Sequence, residues 1–323
     1  MYVITEAPES ELEEILLLKV AKSAAPSLPL AVSDANGKLN VCTFAAAVIV
    51  KSVPEVDVAK FCVPPVCVWP IGPIAVMPVP VEEAKRFGIV ITDENSKIVD
   101  FEEKPESPRS NLASMGIYIF NWKTLKEALI ARADQPNLDF GKHVIPYCHE
   151  NGAPMYAYEF NGYWKDVGTI SSLWEANMEV LDPEHSGINL FDENWKIYSR
   201  NSGMTGHKIS GDALVENSMI TDGCRINGQV RHSILFSGVK VEAGAQVEDA
   251  VVMGSTTIKS GAVVKHCIVA ENVVIGENAV VGAMPSDSEK GVATIGPGIE
   301  IGPGAKIGPS AMVKNNVKGG EEQ

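Results

Sequence analysis

Ile295-Gly-Pro-Gly-Ile-Glu-Ile301-Gly-Pro-Gly-Ala-Lys-Ile307-Gly-Pro-Ser-Ala-Met-Val313 places an aliphatic residue at every sixth position, and Gly296, Gly302 and Gly308 each follow theirs. An earlier register holds Val252, Ile258 and Val264, then Ile268, Val274 and Val280, with Val241 and Val247 before it. A six-residue period is too short for a solenoid whose repeats contain helices. It fits a parallel β-helix in which each repeat is one flat side of a triangular coil. The aliphatic then points inward, and Gly or Asn takes the corner. Helical patterns stop at Asp182-Pro183, so residues 183–323 read as a linker and a β-helix.

The text before Asp182 has a different grammar. Ile74–Pro80 reads as a strand and Val81–Arg86 as a single helical turn. Phe87–Ile91 and Ile98–Glu103 form an antiparallel pair across the turn Asp93–Lys97. Met115–Phe120 is a further strand, and Trp122–Ala133 is a helix with Leu125, Ala128 and Leu129 on one face. Phe140–Glu150 is a second helix entered through Asp139 as N-cap. Met155–Phe160 is a strand, and Ile170–Leu181 is a helix with Leu173, Trp174, Asn177 and Val180 at three-and-four spacing. Residues 74–182 are therefore α/β text with mixed sheet connections. Ahead of them, Ser10-Leu-Glu-Glu13 opens a short amphipathic helix near 10–23. Prolines crowd Val53–Pro80 and argue against central strands there, and residues 1–73 carry no recognisable motif.

Composition narrows the function classes. The chain has 323 residues, 45% of them hydrophobic and 21% charged, which suits a soluble two-domain protein. Its formal net charge of -14 argues against nucleic acid as a partner, because phosphate-backbone binding needs a basic face. The uncharged run Phe61–Val81 contains six prolines and cannot keep a membrane-spanning helix hydrogen-bonded. Glu6, Glu9, Glu11, Glu13 and Glu14 fall where a signal peptide would be apolar, so a cytoplasmic protein without a membrane segment is expected. Six cysteines at unrelated spacings read as free thiols of a reducing compartment.

The candidate chemistry centres on Phe101–Phe120. Lys104 sits between acids and a proline, and Ser114 and Gly116 stand at the mouth of a strand, which suits a phosphorylated polar ligand. Taken singly, these residues have plain readings. Glu103 and Lys104 could be a solvated strand-end pair, Ser114 a turn cap, Gly88 a bulge, and Asp166 a loop hydrogen-bond acceptor. Their order and spacing say more. Arg86-Phe-Gly-Ile89, Phe101-Glu-Glu-Lys-Pro105, Asn111-Leu-Ala-Ser-Met-Gly-Ile-Tyr118, Asp139-Phe-Gly-Lys142 and Gly162-Tyr-Trp-Lys-Asp-Val-Gly-Thr169, followed by hexapeptide repeats, closely resemble bacterial glucose-1-phosphate adenylyltransferase (ADP-glucose pyrophosphorylase) over about residues 74–323.

That resemblance implies a Rossmann-like, GT-A-like nucleotidyltransferase domain followed by a left-handed β-helix. It implies the reaction of ATP with glucose 1-phosphate to give ADP-glucose and pyrophosphate in glycogen biosynthesis, with Mg²⁺ as cofactor. It makes Lys104 and Asp166 the catalytic residues. Glucose 1-phosphate would be bound by Gly88, Glu103, Lys104 and Ser114. Asp166 would be one of two metal carboxylates, the second of which is not found. It also implies a homotetramer or a heterotetramer with a related subunit. His207, His232 and His266 lie where a hexapeptide acyltransferase would carry a catalytic histidine, but that reading leaves the α/β text unexplained.

One departure qualifies the match. The family's Gly-Gly-Gly-x-Gly-Thr-Arg-Leu loop, whose backbone N–H groups cradle a triphosphate, has no counterpart in residues 1–73. The expectation is an incomplete domain in which ATP binding and hence activity are impaired, through truncation or a disturbed reading frame. The alternative expectation is a non-catalytic subunit or assembly module that retains sugar-phosphate binding.

Overall fold

The computed structural model describes residues 2–5, 71–194, 196–198, 202–286 and 291–323. The expected helix near 10–23 lies outside them. The chain divides into two compact units, Met1–Gly162 and Tyr163–Gln323.

The first unit is a mixed sheet. Its elements are β1 (Tyr2–Thr5), β2 (Ile71–Pro78), α1 (Val81–Ala84), β3 (Gly88–Thr92), β4 (Ile98–Glu103), β5 (Leu112–Asn121), α2 (Trp122–Ala131), a π-helical turn (Phe140–Val144) continuing as α3 (Ile145–Glu150), and β6 (Tyr156–Glu159). The strand order is β4-β3-β5-β2-β6, and β1 pairs in parallel with the end of β5, Tyr2 opposite Tyr118. Phe120, Ile74, Val144, Ile145, Leu125 and Met155 fill the space between the sheet and the helices, almost wholly removed from water. Each large side chain buried in this way contributes about 1.5–3 kcal/mol of transfer free energy.

One expectation about proline fails here. β2 begins at Ile71, takes in Pro73, and lies between β5 and β6 in the interior of the sheet. Its pairing with β5 shifts register between Ile71 and Ile74, so the missing proline N–H falls at an irregularity rather than in the regular ladder.

The second unit is a left-handed β-helix of about six turns. Three inward columns run along it. Ile226, Val241, Ile258, Ile275 and Ile301 pair in succession. So do Val230, Val247, Val264, Val281 and Ile307. The third column is Leu235, Val252, Val269, Ile295 and Val313. All of them belong to one buried cluster.

The columns correct part of the sequence register. Ile275 and Val281 point inward, while Val274 and Val280 are half-buried on the outside and Ile268 belongs to a separate cluster on the outer face. Val241 pairs with Ile258, and Ile258 with Ile275, a step of 17 residues per turn, whereas Ile295 pairs with Val313 at the full 18. One side in a 17-residue turn is thus a residue short. Val264 is followed inward by Val269, and a strict period of six slips by one from there. A one-residue slip exchanges the two faces of a strand.

The helix α4 (Ile170–Glu179) packs on the outside of this coil, and a further single turn, α5 (Pro183–Ser186), follows it despite the apparent end of helical text. Thr169 caps α4 by accepting the Ser172 N–H at 3.1 Å. Ile170, Leu173, Trp174 and Met178 cover Ile234, Val251 and Ile268. The Trp174 indole N–H donates to the Asp249 carbonyl at 2.8 Å, and its ring meets the His266 ring edge-on at 4.4 Å. No helix among the described residues is long and apolar enough to cross a membrane.

Candidate functional site

Three strands of the first unit bring the candidate ligand-binding residues together. In the β3–β4 hairpin Gly88 pairs with Glu103, and Ile89 of β3 pairs with Ala113 of β5, next to Ser114. A side chain at position 88 has no room, since a Cβ there would lie 2.6 Å from Phe101 Cζ and 2.9 Å from Glu103 Oε2. Gly141, in the π-helical turn, likewise faces Glu103 Oε2, so that a Cβ there would push the carboxylate aside. The Glu103 carboxylate is therefore seated between two glycines.

Its surroundings are polar but crowded. Burial pushes the Glu103 carboxyl above its usual range, the negative charge of Asp139 adds to this, and Lys104 and Lys142 oppose it. Asp139 is held in turn. Its Oδ1 accepts the Lys142 N–H at 2.9 Å, while its own N–H donates to His143 Nδ1 at 3.0 Å.

Lys104 leaves β4 in the left-handed region, φ 50°, with its N–H donating to the Phe87 carbonyl at 3.0 Å and its side chain exposed. A non-glycine residue in that region carries a conformational cost of about 1–3 kcal/mol, and such strain gathers at ligand sites.

On β5 a bulge shapes the third side. Ile74 pairs with Tyr118 and Val76 with Ser114, so four residues of β5 span two of β2, and Gly116 takes φ 70° within the excursion. The bulge brings Ser114 Oγ to 3.4 Å from the Tyr118 hydroxyl, and Ser114 Oγ accepts the Gly116 N–H at 3.3 Å. Tyr118 is buried and stacks on Phe140 at 5.9 Å. Burial raises its phenol pKa, the Ser114 contact lowers it, and the charges of Glu103 and Asp139 raise it further. Tyr118, Asp139 and Gly141 thus join a site that the sequence reading built from Gly88, Glu103, Lys104 and Ser114. The signal is present in Asp139-Phe-Gly, which reads from sequence as a helix N-cap and a family motif rather than as part of the site.

Asp166 belongs to the second unit. It is exposed, and its carboxylate lies against Gly168, where a Cβ would stand 3.1 Å from Oδ2. Its neighbour Lys165 binds Glu179 at 2.8 Å and Glu175 at 3.0 Å on α4. The described residues gather no set of three or more His, Cys, Asp or Glu side chains able to ligate a metal. Of the β-helix histidines, His232 pairs with Asp249 and His266 packs under Trp174. Cys148, Cys224 and Cys267 are free and buried.

Residues 71–183 match the nucleotidyl transferase family model, and residues 204–302 match the GlmU-like C-terminal hexapeptide model. Among curated proteins, a glucose-1-phosphate adenylyltransferase of Lachnospira eligens is 58% identical over 169 residues, which are 52% of this chain and 40% of that protein. Proteins of the same name from Bacillus cereus and Bacillus mycoides are each 56% identical over 182 residues, 56% of this chain and 48% of theirs. The matched segments thus span less than half the length of these relatives. The chain joins a nucleotidyl transferase segment to a GlmU-like hexapeptide region, and over about half of its own length it is similar to glucose-1-phosphate adenylyltransferases.

Proposed function

We propose that residues 71–162 form the glucose 1-phosphate side of an ADP-glucose-forming adenylyltransferase. The observation that carries this reading is the Glu103 carboxylate, seated between Gly88 and Gly141 next to the left-handed Lys104. A carboxylate held in this way accepts hydrogen bonds from vicinal sugar hydroxyls, and a flexible ammonium suits a phosphate monoester. Ser114 offers a hydroxyl to the sugar, and Gly88 lets the backbone approach it closely.

In the reaction a phosphate oxygen of glucose 1-phosphate attacks the α-phosphorus of ATP, and pyrophosphate leaves. Lys104 would hold the attacking phosphate and offset its charge, so its contribution is positioning and electrostatics. Displacements of this class generally use a divalent cation. In this reading the cation is Mg²⁺ and Asp166 is one of its ligands. The described residues do not complete its ligand set.

The candidate sugar-phosphate residues Gly88, Glu103, Lys104 and Ser114 all lie in the first unit, which also fits a second reading, a non-catalytic subunit of a homo- or heterotetramer that keeps sugar-phosphate binding in the cytoplasm. Separate titrations with glucose 1-phosphate and ATP divide the two readings. Binding of both supports the enzyme, and binding of the sugar phosphate alone supports the half-site. Binding of neither removes both.

A further inference from the structure

One wall of the β-helix stacks cations. Arg225 is in register with Lys208 on one side and Lys240 on the other, and all three are exposed. Ile226 and Val241, which follow Arg225 and Lys240, are buried in an inward column, and the exposed Ile209 after Lys208 is in register with Ile226, so the cations lie on the outward face of their strands. Adjacent parallel strands lie about 4.8 Å apart, so the three charges span about 10 Å.

None of the three makes an ion pair with a described residue. The nearest acid further along the Lys240 strand, Glu242, turns its carboxylate to the Ser260 N–H at 3.0 Å. Asp222, three residues before Arg225, is exposed at the preceding corner. The column then continues as Thr257 and Val274.

Another wall of the same coil shows the alternative. There Glu216, Arg231, Glu248 and Lys265 are in register and alternate in sign. Arg231 binds Glu216 at 2.8 Å and Lys265 binds Glu248 at 3.0 Å. Opposite charges across a ladder stabilise it and like charges destabilise it. A chain with 41 acidic and 27 basic residues has ample acid to intersperse, yet the first wall places three cations in succession.

We propose that the Lys208–Arg225–Lys240 ladder is a binding site for an oligophosphate chain. The planar Arg225 fork would take the central phosphate in a bidentate contact, and Lys208 and Lys240 would close on its neighbours. The wall is flat, so the phosphate chain is what is recognised. Its source is either a free inorganic oligophosphate or the tail of a nucleotide. Lys104 belongs to the other unit, and the proposal does not depend on the activity proposed above.

The test is calorimetric titration of the full chain with inorganic triphosphate at low ionic strength without divalent metal, with ATP and orthophosphate in parallel. The expected result is saturable binding that Arg225→Gln weakens at least about tenfold, since a hydrogen bond to a charged group is worth that much. Lys240→Gln should act likewise, and circular dichroism reports whether each variant is folded. Arg231→Gln on the alternating wall should leave binding unchanged. ATP binding that Arg225→Gln weakens as strongly as triphosphate binding supports a nucleotide tail, and a loss confined to triphosphate supports a free oligophosphate. The proposal is overturned by the absence of saturable binding, by orthophosphate binding as tightly as triphosphate, or by equal losses in Arg225→Gln and Arg231→Gln. Self-association abolished by Arg225→Gln without phosphate present also overturns it, because the ladder then serves a second copy.

Discussion

Glu103 and Gly141 are in direct contact across the candidate site, with the carboxylate occupying the space that a side chain at 141 would fill. Gly141→Ala should therefore displace the carboxylate without unfolding the sheet. The expected outcome is about a tenfold loss in glucose 1-phosphate affinity, of the size of one lost hydrogen bond to a charged group. Calorimetry reads the affinity, and far-UV circular dichroism should be unchanged. Unaltered affinity would separate Glu103 from sugar binding.

The pH dependence of Glu103 has a definite sign. Its carboxyl is raised by burial, so the folded chain holds that proton more tightly than the unfolded chain. The stability this adds is present at acid pH and is lost as pH rises through the folded-state value. Glu103→Gln imitates the protonated form, and it should raise the melting temperature at neutral pH while weakening sugar-phosphate binding. Below the carboxylate range the gain in melting temperature should vanish. A variant less stable than the parent at neutral pH would contradict the assignment.

The register of the β-helix is testable by one adjacent pair. Ile275 points inward with no exposed surface, whereas Val274 is half-buried on the outer face. Ile275→Ala should cost about 2–5 kcal/mol in denaturant unfolding, as for other core truncations, and Val274→Ala less than about 1 kcal/mol. Equal losses would restore the strict six-residue period.

The buried thiols give a chemical reading of both units. Burial pushes Cys148 up to about 11 and Cys267 up to about 12. Neither should react with a thiol reagent at mildly alkaline pH until denaturant is added, because the thiolate is the reacting species. Mass spectrometry of labelled peptides checks each site. Rapid native labelling of Cys267 would mean that the coil interior is open.

Much of this architecture was legible in the sequence, and the failures have physical causes. The repeat Ile295–Val313 has one aliphatic per six residues and announces its coil. The runs Val273-Val274-Ile275 and Val280-Val281 present an aliphatic in either parity, so the shortened side after Val264 left the inward face undetermined. Pro73 argued against a central strand because a regular ladder needs its N–H, but a register shift removes that need. Glu103, Lys104 and Ser114 could be read from motifs on or next to β4 and β5, which β3 joins in the sheet. Tyr118 could not, because only the bulge at Gly116 brings it beside Ser114. Asp139 was visible as a helix cap, but its electrostatic reach to Glu103 arises from the packing of the π-helical turn against β4.

The central claim is that this chain holds glucose 1-phosphate through Glu103 and Lys104. Calorimetric titration of the full chain with glucose 1-phosphate, repeated on Lys104→Gln, tests it most directly. The expected result is saturable one-site binding by the parent and at least about a tenfold loss in the variant, the loss expected for one charge-assisted contact. Binding that survives Lys104→Gln unchanged, or a folded parent that does not bind glucose 1-phosphate, would contradict it.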